Sequence, residues 1–216
     1  MTKTRIALVN KYSKLMHIIR KRFDIIDLMM GVDEDRFLIA ETCGFHLRKI
    51  IEAIGSACLI SLENQTGKID DTTTHMYKPD QVFRFLKKKS KQISLTPSQI
   101  RQSTIEDKTI CGDHNVNVTI EGIAQYKLSW KEIVEIYTRT NKWNHEINPY
   151  SGFNQESFYS THAAKLLEDI EKIRNFIFRN CIILEGEAFY CILKDKVDNQ
   201  VKVASLSKRK NVVYKF

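Results

Sequence analysis

The stretch YTRTNKWNHEIN, Tyr137 to Asn148, holds Arg139 and His145 with five polar or aromatic residues between them. A histidine titrates near neutrality, so it can take the proton of a 2′-hydroxyl or give one to a leaving 5′-oxygen. An arginine grips a phosphate in a planar fork and offsets the extra negative charge of the transition state. Converging on one phosphate, the two would suffice to cleave RNA without a metal. Asn141 and Asn144 could hold the phosphate or the imidazole, and Tyr137 and Trp143 could stack on bases. The competing reading is an ordinary helix end, where cations suit the dipole and the two aromatic residues complete the core.

The element that positions Arg139 is well marked. Ser129 with Glu132 three residues on forms a capping box, and Ile133, Ile136 and Tyr137 give an inner face. The predicted helix ends near Trp143, with a turn at Asn148-Pro149, so His145 falls just past the end. Asn154 is predicted to cap a long helix to about Arg179. Phe158, Ala163, Leu166, Leu167, Ile170, Ile173, Phe176 and Ile177 would face inward.

Two further helices precede these. Over 4–30 apolar residues recur at roughly helical spacing: Ile6, Val9, Leu15, Ile18, Ile19, Phe23, Ile26 and Leu28. Gly31 stops this helix, and Asp33, followed by two more acids, starts the next, which runs to about Glu63. That second helix is apolar nearly all round and reads as the centre of a bundle. Glu41, Arg48 and Glu52 fall within a fan of about 40° on it, close to Phe45. The stripe is either a narrow solvent-facing strip with an Arg48–Glu52 pair or a semi-buried polar network.

Asn64 to His75 reads as a loop, and Pro79 opens a short helix whose Val82, Phe83 and Leu86 turn inward. ISLTP and NVNVTIEG alternate as short strands inside an insert, 90–127. AFYCILK and QVKVASL flank DKVDN and predict a C-terminal hairpin, followed by a tail with Lys208–Lys210. The expected fold is mainly α: a helical bundle of about four long helices with a small C-terminal β-hairpin. Residues 1–180 would form the bundle, and 181–216 the hairpin and basic tail.

The 216 residues carry a formal charge of +8, which favours a polyanionic partner such as RNA. Five cysteines, an odd number without a CxxC pair, suggest a reducing compartment. No metal-ligand spacing, Gly-rich phosphate loop or internal repeat is visible, so no metal and no cofactor is expected. The N-terminus lacks the apolar core of a signal peptide, and the most apolar stretch is too short to span a bilayer. A cytoplasmic protein without membrane contact is the expectation. His17, His46 and His162 read as packing residues, whereas His75 and His114 lie in polar segments.

The text RTNKWNH, Arg139 to His145, with the helical architecture, resembles the HEPN superfamily, small helical bundles with an R-x(4–6)-H signature near a helix end. Thr140 departs from the Asn, Asp or His common after the arginine. The resemblance implies a metal-independent ribonuclease or RNA-binding relative in stress response or phage defence. Arg139 and His145 would be its catalytic pair, two copies would meet at a dimer cleft, and an inhibitory partner protein could hold the activity down. The alternative is a non-catalytic interaction or dimerisation module, consistent with the long apolar helices. No helix-turn-helix spacing supports a DNA-binding regulator.

Overall fold

Helix α1 (Lys3–Met30) buries Leu8, Tyr12, Met16, Ile19, Phe23 and Ile26, spaced four or three residues apart. That spacing lays a single stripe along a helix of 3.6 residues per turn. This phase corrects the sequence expectation, because Ile6, Ile18 and Leu28 are exposed, as is His17. Tyr12 and Met16 take the inward positions. Tyr12 stacks on Phe189 and its hydroxyl donates to Asn180 Oδ1 at 2.8 Å, which satisfies the polar end of a fully buried ring.

The structure is a computed structural model that describes residues 3–66, 73, 75–76, 78–89, 94–111, 116–144, 152–184, 187–207 and 212–215. Helix α2 (Arg36–Thr66) is the centre of the molecule. It packs against α1, α3 (Pro79–Lys89), α5 (Trp130–Thr140) and α6 (Gln155–Phe178), and it reaches the sheet. Its start is set by Asp35 rather than Asp33: Asp35 Oδ1 accepts from the Phe37 amide at 2.8 Å. At α5 the expected capping box is present, and Asn154 Oδ1 caps α6 by accepting from the Ser157 amide at 2.8 Å.

The chain is mostly helical, but four long helices with one hairpin is too simple a description. Among the described residues there are three helices of 24 residues or more, two of 11 residues, and the seven-residue α4 (Ile105–Cys111). The expected hairpin of β4 (Glu187–Ile192) and β5 (Lys202–Ser207) belongs to a six-stranded sheet ordered β5-β4-β3-β1-β2-β6. The other strands are β1 (Ser94–Gln102), β2 (Val118–Gly122), β3 (Arg179–Leu184) and β6 (Val212–Lys215). Neighbouring strands are antiparallel except β2 and β6, where Thr119 lies opposite Val213 in a parallel pair. Strands from the 94–122 region thus join those after residue 178 in one sheet. Leu95, Ile182, Phe189 and Cys191 from that sheet enter the same core as α1, α2 and α6.

A buried carboxylate fastens one end of the sheet. Asp107 on α4 is fully buried and lies 2.5 Å from Arg101 Nη1 and 2.5 Å from Lys215 Nζ. It also accepts from the Thr104 amide at 2.8 Å and from the Thr119 hydroxyl at 3.1 Å. Charge-assisted bonds of this kind are what keep a buried carboxylate ionised. Through them α4, β1, β2 and β6 share one anchor.

Candidate functional site

Helix α5 ends in a 3-10 turn, Asn141–Trp143, and this end is clamped from two sides. On the α2 side, Arg48 donates from Nη2 to the Tyr137 hydroxyl at 2.8 Å and from Nη1 to Asn141 Oδ1. Its guanidinium also lies over the Tyr137 ring, 4.6 Å from the centroid. Glu52 Oε1 sits 3.3 Å from Arg48 Nε and accepts from the Tyr137 hydroxyl at 3.4 Å, while Lys49 reaches Glu52 Oε2 at 2.8 Å. Burial raises the Tyr137 hydroxyl pKa against the pull of Arg48, so the phenol stays protonated and able to donate. The Arg48–Glu52 part of the α2 stripe therefore forms a polar network. Glu41 has no hydrogen bond or ion pair among the described residues.

On the α6 side, Arg139 meets Asp169 as a fork. Nε donates to Oδ2 and Nη2 to Oδ1, both at 2.7 Å. The Asp169 side chain is only 3% exposed and that of Arg139 is 34% exposed. The hydrogen bond to Asp169 raises the Arg139 pKa further, so the cation is permanent. Two of its five N–H donors are spent on Asp169, which leaves both donors of Nη1 and one of Nη2. Arg139 is therefore fixed in direction rather than freely mobile.

A shallow cleft lies beside this pair, lined by Arg139, Lys142, Trp143, His162, Lys165 and Asp169 among others, with room for about 30 Å³. That is enough for a water-sized group or one phosphate oxygen, but not for a base. Lys142 is exposed, and the Lys165 side chain is 43% exposed with its Nζ 3.8 Å from Asp169 Oδ1. Lys165 Nζ lies nearer to Glu168, at 2.7 Å, so Arg139 and Lys165 each have a carboxylate partner and Lys142 is the cation of the cleft without an ion pair among the described residues. Burial, then the nearby Lys142, lowers the His162 pKa and so disfavours its protonated form.

Aromatic side chains continue the cleft. The His162 ring stands edge-on to Phe158 at 4.6 Å, and Phe158 meets Trp143 at 4.9 Å and Phe153 at 5.3 Å. Phe153 is 37% exposed, whereas Tyr137 and Trp143 are buried and present no open ring face to a base. Trp143 wedges so tightly against Gly44 that a Cβ there would lie 2.8 Å from its own Cβ. A glycine on α2 is what lets the 3-10 turn approach.

The candidate residues named from the sequence divide accordingly. Arg139 lies in the cleft. Asn141 is engaged by Arg48 and Asn144 donates to the Thr140 carbonyl at 2.6 Å, so both side chains stabilise the turn itself. His145 lies outside the described residues, as do Asn148, Pro149, His114 and Lys208–Lys210. Asp169, Lys165 and His162 also line the cleft, although none of them stands out in the sequence as a site residue. Their spacing, 162, 165 and 169, was the available signal, because three and four residues place side chains on one helix face. Among the described residues no group of three His, Cys, Asp or Glu side chains is placed to hold a metal ion, and no helix is long and apolar enough to cross a membrane. Comparison with protein-family models, curated proteins and solved structures finds no match.

Proposed function

We propose that this protein binds RNA at the α5–α6 cleft and acts as a HEPN-like, metal-independent ribonuclease, with Arg139 on the phosphate. The observation that carries this reading is the fixed guanidinium of Arg139, its Nη1 donors free of Asp169, flanked by Lys142 and Lys165. Such a cluster favours a backbone phosphate, and the exposed ring of Phe153 offers a stacking surface at the same end of the helices. In the reaction, Nη1 would stabilise the charge that builds on the phosphate. His145, following the 3-10 turn, would exchange the proton at the 2′-hydroxyl or the 5′-oxygen.

The test is incubation of the purified protein with total RNA in EDTA beside Arg139→Ala and His145→Ala. Cleavage by the wild type that both variants lose supports the reading. An absence of cleavage, or cleavage that both variants retain, removes the catalytic part.

One observation favours the second reading, a dimerisation module. Ile18 and Ile25 on α1 and Leu38 and Phe45 on α2 are large apolar side chains left between 37% and 53% exposed. Sedimentation at micromolar concentration separates that reading from a monomer.

A further inference from the structure

A second chamber opens where the α1–α2 turn faces the first half of α6. It has room for about 410 Å³, within the range of small-molecule sites, and its walls include Met30, Val32, Ile39, Cys43, Tyr159 and Leu167. Met30, Val32 and Leu167 are 43%, 39% and 48% exposed, so three of the molecule's exposed apolar side chains converge on one concavity. Scattered exposed apolar residues need no explanation, but several around a chamber of this size do.

The lip is charged in a way that selects among ligands. Asp33 and Glu34 line it with Arg36, which leaves it acidic by one charge on a chain whose net charge is +8. Neither Asp33 nor Glu34 has a hydrogen bond or ion pair among the described residues, whereas the adjacent Asp35 is occupied in capping α2. A location before a helix start accounts for acidic residues there, but not for an apolar chamber behind them.

We propose that this chamber binds a small amphipathic cation, with an aromatic or alkyl body against Met30, Val32, Ile39 and Leu167 and an ammonium head at Asp33 and Glu34. Burying such a body supplies the affinity, and the two carboxylates supply the choice of charge. The chamber adjoins the α5–α6 cleft, with Leu166 lining both, but its proposed ligand does not depend on RNA binding.

The test is calorimetric titration of the full chain with naphthylethylamine and with naphthylacetate, which share a ring system and differ in the sign of the head. The amine should bind saturably and about tenfold more tightly than the carboxylate. The Asp33→Asn, Glu34→Gln double variant should bring the two affinities together. Ala163→Trp, which fills the chamber from α6, should abolish binding of both. Leu167→Lys, at an exposed wall position, serves the same purpose if circular dichroism shows that the tryptophan disturbs folding. No saturable binding, equal affinity of the two probes for the wild type, or binding that survives both wall variants would overturn the proposal.

Discussion

The carboxylate of Asp169 and the guanidinium of Arg139, 30 residues apart in sequence, meet through two parallel hydrogen bonds of 2.7 Å between α6 and α5. The pair leaves Nη1 as the Arg139 nitrogen with both donors free of Asp169. It also ties the end of α5 to α6, across from the network that ties the same end to α2 through Arg48.

That pairing should be measurable as coupling. Removing either partner leaves a partly buried charge or its mate unsatisfied, whereas removing both does not. In a double-mutant cycle of Arg139→Ala and Asp169→Ala, urea unfolding should show non-additivity of about 1–3 kcal/mol. Coupling near zero would mean that the fork does not hold Arg139.

Gly44 and Gly55 on α2 should respond oppositely to alanine. Alanine gains about 1 kcal/mol of helix propensity at either place. At Gly44 the new Cβ would sit 2.8 Å from the Trp143 Cβ, and crowding of that kind costs about 1–3 kcal/mol. At Gly55 the nearest atom is Val82 Cγ1 at 3.4 Å, an ordinary contact. Denaturant midpoints should therefore fall for Gly44→Ala and hold or rise for Gly55→Ala.

Asp107 should make stability acid-sensitive. The hydrogen bond from Arg101, then that from Lys215, holds its carboxyl pKa well below the ordinary value. A depressed folded-state pKa contributes stability above the unfolded pKa of about 4, and that contribution is lost as pH falls below it. Asp107→Asn should lower Tm by several degrees at pH 7, and the gap to the wild type should narrow as the pH drops below about 4. A gap that does not change with pH would contradict the assignment.

The helices were legible because their apolar residues recur with the right period, and both capped starts, at Ser129 and Asn154, were read correctly. The phase of α1 was not. Its stripe passes through Tyr12, whose hydroxyl makes it look like a boundary residue until Asn180 supplies a partner from 168 residues away. The sheet was visible in pieces. ISLTP and NVNVTIEG alternate as strands and overlap β1 and β2, but the long-range pairings of β1 with β3 and of β2 with β6 leave no local pattern. At the candidate site, Arg139 was visible as part of a spaced motif. Asp169 and Lys165 were hidden in a helix read for its apolar face alone.

The central claim is that the α5–α6 cleft holds an RNA phosphate, and the salt dependence of binding tests it most directly. Fluorescence anisotropy of a labelled single-stranded RNA should give log Kd against log salt for the wild type, Lys142→Ala and Lys165→Ala. Each lost phosphate contact should reduce the slope by about 0.7 and weaken binding at low salt. Slopes and affinities identical to those of the wild type would place the RNA elsewhere, or show that none binds.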